Sequence, residues 1–314
     1  MPRLSPKAHV FQLEPHARYR LEYATAPEPS PPGTEWTGDA LDGSPLAYMM
    51  RRPLILKADD FGSPFGDIDV AFIDAVDAAD GVVALGIVTA LIAEDDATRT
   101  AYRALNAGGF ELWFHGHTHT LGDVAEFSGS GLASQMDSFA RGITAGRERL
   151  GVEFHSFGAP GNGFDADTMT ALTTFPQLVV WFFGAAEAPV FVLPRLIDLE
   201  SKVGVVRDVE EFSGLVEQTL AANPTAPITL QLHPRMWTHA DLDRARTAIA
   251  SLYDRGLRPA APFELWAWRQ EAARVRLFKE TARSYILDLS QVELRLRVTV
   301  DPAGPTPVRV TEVD

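Results

Sequence analysis

Three histidines stand at alternate positions in the stretch ELWFHGHTH, residues 111–119: His115, His117 and His119. They directly follow an apolar run. The carboxylate pair Asp59 and Asp60 in LILKADDFG and the single His233 in ITLQLHPRMW are placed the same way. Two imidazoles plus one carboxylate form a ligand set for Zn²⁺ and also for Fe(II), with positions left open for water and substrate. One of the adjacent aspartates could bind such an ion while the other takes a proton from a water the ion has acidified. His233 could then protonate a leaving group. Taken alone, an Asp-Asp-x-Gly is a common turn or cap and a strand-end His-Pro is commonly structural, so the weight rests on three histidines in five residues.

These clusters matter only if the elements bearing them converge. Short runs rich in β-branched and aromatic residues predict strands at 54–58, 82–90, 110–114, 153–157, 178–183, 190–193 and 228–232. Between them, GDIDVAFIDAVDAAD, ATRTAYRALNAG, SQMDSFARGITAGRERLG, DVEEFSGLVEQTLAAN and ADLDRARTAIASLYDRG carry apolar residues three and four apart, as amphipathic helices do. Thr238 and Asp241 form a capping pattern for the last of these, and Gly256 ends it. This rhythm predicts a parallel α/β body. In such folds the loops after the strands share one face, so all three polar clusters should meet at one rim.

From about residue 282 the texture becomes alternating, as in a small antiparallel sheet. Residues 24–46 are crowded with Pro, Gly and small polar residues. The expected organisation is an N-terminal arm and Pro-rich linker over 1–48, a catalytic body over 49–272 and a C-terminal β appendage over 273–314.

The composition removes several function classes. A net charge of −14 disfavours a nucleic-acid partner, since phosphate binding needs clustered cations. Without cysteine there are no disulfides, thiolate sites or cysteine nucleophiles. No apolar run has the length of a signal peptide or a membrane span, so a soluble, cytoplasmic protein is expected.

Known metal motifs compete for the histidine cluster. GHTH at 116–119 matches the last motif of calcineurin-like metallophosphoesterases, but none of that family's earlier motifs precedes it. The metallo-β-lactamase pattern H-x-H-x-D-H fails at His119 and Thr120, and an H-E-x-x-H helix is absent.

One pattern takes in all the clusters in order. From about residue 50 to 270 the chain resembles the NodB-homology polysaccharide deacetylases, the carbohydrate esterase family 4-like superfamily, as a divergent member. KADDFG is similar to that family's T-F-D-D-G, and HGHTH at 115–119 to its H-[ST]-x-x-H. FGAPGNGFD at 157–165 is similar to F-R-x-P-[YFW]-G, and LQLH at 230–233 to L-x-L-H. The resemblance implies a distorted (β/α)7-type barrel. It also implies one divalent ion, Zn²⁺ first and Co²⁺, Ni²⁺, Mn²⁺ or Fe²⁺ as alternatives, held by Asp60, His115 and His119. Asp59 then matches the general base and His233 the general acid. His117 falls to a pocket neighbour.

Two of the family's features are missing. The Arg of the third motif is replaced by Gly158, leaving Arg195 or Arg235 as candidates to supply a guanidinium. The fourth motif keeps Trp181 but neither carboxylate, leaving Asp198 as a candidate partner for His233. His117, Asn162, Trp181, Trp237, Arg195 and Arg235 are the expected substrate contacts, while His155 reads as structural. Glu126, Phe127 and Gln135, in the loop past the histidines, read as surface. The expected activity is metal-dependent removal of an N-acetyl group from an amino sugar or glycan. A cyclic amide or imide hydrolase and a non-catalytic carbohydrate-binding protein are the alternatives.

Overall fold

The structure, a computed structural model, describes residues 9–24, 30–37, 52–79, 81–224, 226–300 and 307–313. Most of the Pro-rich connection, residues 25–29 and 38–51, lies outside the described residues.

Three N-terminal strands come first: β1 (His9–Leu13), β2 (Arg18–Tyr23) and β3 (Glu35–Thr37). The body then runs β4 (Pro53–Phe61), α1 (Asp67–Asp77), β5 (Ala84–Ile87), α2 (Asp96–Ala107), β6 (Glu111–Phe114), α3 (Leu132–Ala145), β7 (Ser156–Phe157), α4 (Ala166–Leu172), β8 (Val180–Phe182) and β9 (Phe191–Leu193). A hairpin of β10 (Glu200–Lys202) and β11 (Val205–Val206) precedes α5 (Val209–Ala222), β12 (Ile228–Leu232), α6 (His239–Asp254), β13 (Arg258–Pro259) and α7 (Pro262–Glu271). The chain closes with β14 (Arg276–Lys279), β15 (Ser284–Asp288), β16 (Leu296–Val300) and β17 (Pro307–Val313).

Seven parallel strands curve in the order β12-β4-β5-β6-β7-β8-β9, with β13 joining the start of β4. Among the described residues β9 and β12 do not pair, so the barrel stays open there. Strand alternation separates two apolar layers. Leu54, Leu56 and Ala58 face the helices, joining Phe72, Phe139, Leu242 and Ile249 in the main core. Ile55 points the other way, into an inner cluster with Ala84, Trp113, Val180, Phe182 and Leu193. Lys57 and Asp59 share that inner face by the same alternation, and both are buried.

Every expected strand of the body is present, although 153–157 shortens to two residues and 54–58 lengthens through both aspartates. Helices α4 and α7 were not expected. The first is seven residues, too short for a periodic signal, and the second has a weakly sided apolar pattern. Thr238 caps α6 as its sequence suggests, its Oγ1 accepting from the backbone of Asp241 at 3.2 Å.

The C-terminal sheet has five antiparallel strands in the order β17-β2-β15-β14-β3, so the N-terminal segment supplies two of them. Helix α7 joins this sheet to the barrel: Leu265 enters the inner barrel cluster, and Trp268 packs with Leu21, Leu277 and Tyr285. No helix among the described residues is long and apolar enough to cross a membrane.

Candidate metal centre

In a regular strand Asp59 and Asp60 would face opposite sides. Here the pairing of β4 with β5 shifts register between Ala58 and Phe61, and Asp60 takes a left-handed φ of 70°. A bulge of this kind re-aims a side chain at the cost of backbone strain. Both carboxylates therefore reach one centre.

The histidines arrive from the end of β6, where the His115 amide donates to Ile87 O at 3.0 Å. The chain then turns through Gly116 (φ 81°) and reaches His119, itself at φ 60°. A single carboxylate, Glu126, shapes this turn. It accepts the amides of His117 at 2.5 Å, Thr118 at 3.2 Å and His119 at 2.7 Å, together with the Ser138 hydroxyl. A Cβ on residue 116 would stand 2.6 Å from Glu126 Oε2, so the cradle requires glycine there. The sequence places Glu126 in a loop of surface character, but its carboxylate is buried.

Asp60, His115 and His119 each direct one ligand atom to a common point, all within 4.8 Å of one another. The Oδ1 of Asp60 lies 2.9 Å from His119 Nε2 and 3.4 Å from His115 Nε2. His115 Nδ1 is 2.8 Å from the carbonyl of Gly158, which can only accept, so Nδ1 carries the proton and Nε2 presents a lone pair. With the His115 Nε2 lone pair aimed at the buried Asp60 Oδ1, a cation between them would satisfy both atoms. The donor set thus fits a divalent ion. Burial opposes ionisation of Asp60, but the two imidazoles outweigh it and hold its carboxyl below the usual range. The same close contact with Asp60 raises the pKa of His119.

Asp59 is fully buried beside this group, its Oδ2 3.6 Å from His115 Nε2 and 3.8 Å from His233 Nε2. The cation that Gly158 does not provide comes from an unexpected residue. Lys57 Nζ contacts Asp59 Oδ1 at 2.7 Å and Oδ2 at 2.6 Å, and Gln231 Nε2 donates to Oδ2 at 2.8 Å. Neither expected arginine reaches Asp59. Arg195 pairs with Asp198 at 2.7 Å, and Arg235 reaches Pro64 O at 2.6 Å and Asp69 at 3.5 Å.

His233 has a carboxylate partner, but it is Glu200 rather than Asp198. Glu200 Oε2 lies 2.6 Å from His233 Nδ1 and accepts Gly204 N at 3.1 Å, while Oε1 accepts His233 N at 2.8 Å and Trp237 Nε1 at 2.6 Å. Burial lowers the pKa of His233, and the bond to Glu200 with the charge of Asp59 more than reverses this, for a net rise.

A cavity of about 600 Å³ opens over these groups, lined also by Asn162, Arg195, Lys202, Arg207 and the exposed aliphatic residues Leu121, Val203 and Met236. Of the expected substrate contacts, Asn162 and Arg195 lie on its wall. Asn162 Nδ2 bonds Gln231, while its Oδ1 is buried without a partner. The others are placed elsewhere. His117 turns to Thr89 Oγ1 at 2.8 Å, and Trp181 is fully buried against Phe157 and Phe164. Trp237 is spent on Glu200 and Phe72, and Arg235 on α1 and the loop before it. His155 stacks on Phe263 away from the site.

No family profile and no curated protein matches the chain. Several solved structures do. A family 4 acetyl xylan esterase from Clostridium thermocellum, in complex with a cobalt ion, aligns over 68% of this chain and 90% of its own at 14% identity and a TM-score of 0.50. A putative polysaccharide deacetylase from Mycobacterium smegmatis aligns over 74% and 97% at 16% identity and a TM-score of 0.48. A CE4 family pseudoenzyme from Bacillus anthracis aligns over 68% and 65% at 10% identity and a TM-score of 0.47. At 14% identity the likeness to the acetyl xylan esterase establishes architecture: the chain has the barrel fold of the family 4 carbohydrate esterases, whose motifs its sequence resembles.

Proposed function

We propose that this protein is a metal-dependent hydrolase that removes an N-acetyl group from an amino sugar or glycan. The observation that carries the reading is the meeting of five side chains from three strand ends. Asp60, His115 and His119 converge as a ligand set, and Asp59 and His233 stand beside it with Asp59 Oδ2 3.8 Å from His233 Nε2.

A divalent ion on the three ligands, Zn²⁺ first among candidates, would polarise the acyl carbonyl and acidify a water. Asp59 takes the proton of the attacking water at Oδ2, the oxygen nearer the ligand histidines. His233 gives its Nε2 proton to the departing nitrogen, and Glu200 at Nδ1 fixes that ring and favours its charged form. Asn162 lines the cavity and holds Gln231, which in turn donates to Asp59. In this reading residues 49–272 are the catalytic unit, and the strands outside that range support α7.

The non-catalytic alternative drew on the lost Arg and the lost carboxylate. Lys57 and Glu200 fill both places, which favours an enzyme. Acetate release from N-acetylated amino sugars, measured with wild type and Asp59→Asn at known metal content, tests the proposal. Release that depends on metal and disappears in Asp59→Asn is expected. A fully metal-loaded wild type that releases no acetate from any such sugar would overturn it in favour of the cyclic amide or imide reading.

A further inference from the structure

We propose that Lys57 is a positioning residue that keeps Asp59 from becoming a fourth protein ligand of the ion held by Asp60, His115 and His119. The inference rests on the metal reading above.

Asp59 is poised to enter that coordination sphere. It is a buried carboxylate, adjacent in sequence to one ligand and 3.6 Å from the ligating nitrogen of another. A divalent ion at that point would attract it strongly, since the two charges would lie close together and a poorly solvated interior screens them little. Carboxylate is also an ordinary ligand for such ions. A fourth protein ligand would close a site whose chemistry needs an open position.

What holds Asp59 back is visible on both oxygens. The ammonium of Lys57 bridges them at 2.7 and 2.6 Å, and Gln231, itself held by Asn162, adds a bond to Oδ2. Moving Asp59 onto the ion would strand a fully buried ammonium. That ammonium is fixed by aromatic faces: its Nζ lies 4.8 Å from the Trp113 ring centroid, 5.2 Å from Phe183 and 5.6 Å from Phe182.

The surrounding glycines belong to the same device. A Cβ on residue 158 would stand 2.8 Å from Trp113 Cζ3, and one on residue 86 would stand 2.4 Å from Cζ2. The indole fits only because both are glycine. A side chain at 158 would displace the ring that forms one wall of the Lys57 site, so the cation comes from β4 itself.

The test uses the full chain loaded with Co²⁺, whose visible spectrum reports ligand number. In Lys57→Met, Co²⁺ affinity should rise about 10- to 100-fold, the scale on which residues around metal ligands alter affinity. Added acetate should no longer perturb the spectrum as it does in wild type, because the open position is taken. In Lys57→Met/Asp59→Asn both changes should revert, and in Lys57→Arg neither should appear. An unchanged affinity and acetate response in Lys57→Met, or the same change in the double variant, would overturn the proposal. Should Lys57→Met fail to fold, a crystal structure of Co²⁺-loaded wild type decides: Asp59 bonded to the ion with Lys57 in place would refute it. Loss of Co²⁺ binding by wild type would sink the metal reading as well, whereas binding with no Lys57 effect would sink only this inference.

Discussion

Replacing Glu200 by Gln isolates the partner of His233. The carboxylate uses four N–H contacts, with His233 Nδ1 and Gly204 N on one oxygen and His233 N and Trp237 Nε1 on the other. Gln keeps one oxygen for the second pair and presents an NH₂ to the first. His233 can adapt by accepting at Nδ1, which leaves Gly204 N without its acceptor at a cost of about 1–3 kcal/mol. The protein should therefore fold with a modestly lower unfolding midpoint. Catalysis should suffer more, because an imidazole that accepts at Nδ1 has lost the charge partner that favours its acidic form. A fall in kcat of about 10²- to 10⁴-fold, the usual contribution of a positioned acid, is expected with little change in KM.

The pH dependence supplies a sharper check. In wild type the folded pKa of His233 is raised, so its protonated form persists to higher pH, and the alkaline limb of the kcat profile should lie above the ordinary imidazole range. Glu200→Gln should move that limb to lower pH. The sign for stability follows from the same shift: the contribution is fully present below the unfolded pKa and is lost as pH rises through the folded value. Acetate release followed across the neutral range, with denaturant unfolding alongside, measures both. A kcat equal to wild type with an unmoved alkaline limb would refute the role given to Glu200.

Two further substitutions probe the scaffold. Glu111 at the start of β6 is pushed up to about 7 by burial, while its oxygens accept from the Ser156 hydroxyl and from Phe263 N at 2.7 Å. A raised carboxyl pKa contributes stability below its unfolded value that is lost as pH rises to the folded one. Glu111→Gln, which can satisfy both partners without charge, should thus be more stable than wild type above neutral pH by about 1–3 kcal/mol, with no gain in acid. Unfolding at two pH values checks this. Gly116→Ala should deform the Glu126 cradle, because its Cβ meets Glu126 Oε2 at 2.6 Å and Pro160 Cγ at 2.9 Å with φ at 81°. Equilibrium dialysis should show weaker metal binding, and a native affinity would mean the cradle does not set the ligand geometry.

The parts of the site legible in the sequence were those whose signal is local. Asp59, Asp60, His115, His119 and His233 each follow an apolar run, and β12 occupies the residues its pattern marks. Lys57 was missed although its signal is local too. It is a charged residue inside a strand buried on both faces, two positions before Asp59 and so on the same face. Glu200 left no such mark, since its contact with His233 spans 33 residues and is made by a short hairpin. Asp198 is nearby in sequence, but its carboxylate is committed to Arg195. Trp181 illustrates the reverse error, as an aromatic at a strand end was read as rim and lies in the core. The N-terminal strands escaped because their partners lie at least 239 residues away, beyond any local pattern.

The central claim is that Asp60, His115 and His119 hold a divalent ion. Titration of Zn²⁺ into the metal-free protein, with His119→Ala as the comparison, tests it most directly. One tight equivalent in wild type and a marked loss of affinity in the variant are expected, and absence of binding, or an affinity indifferent to His119, would contradict the account.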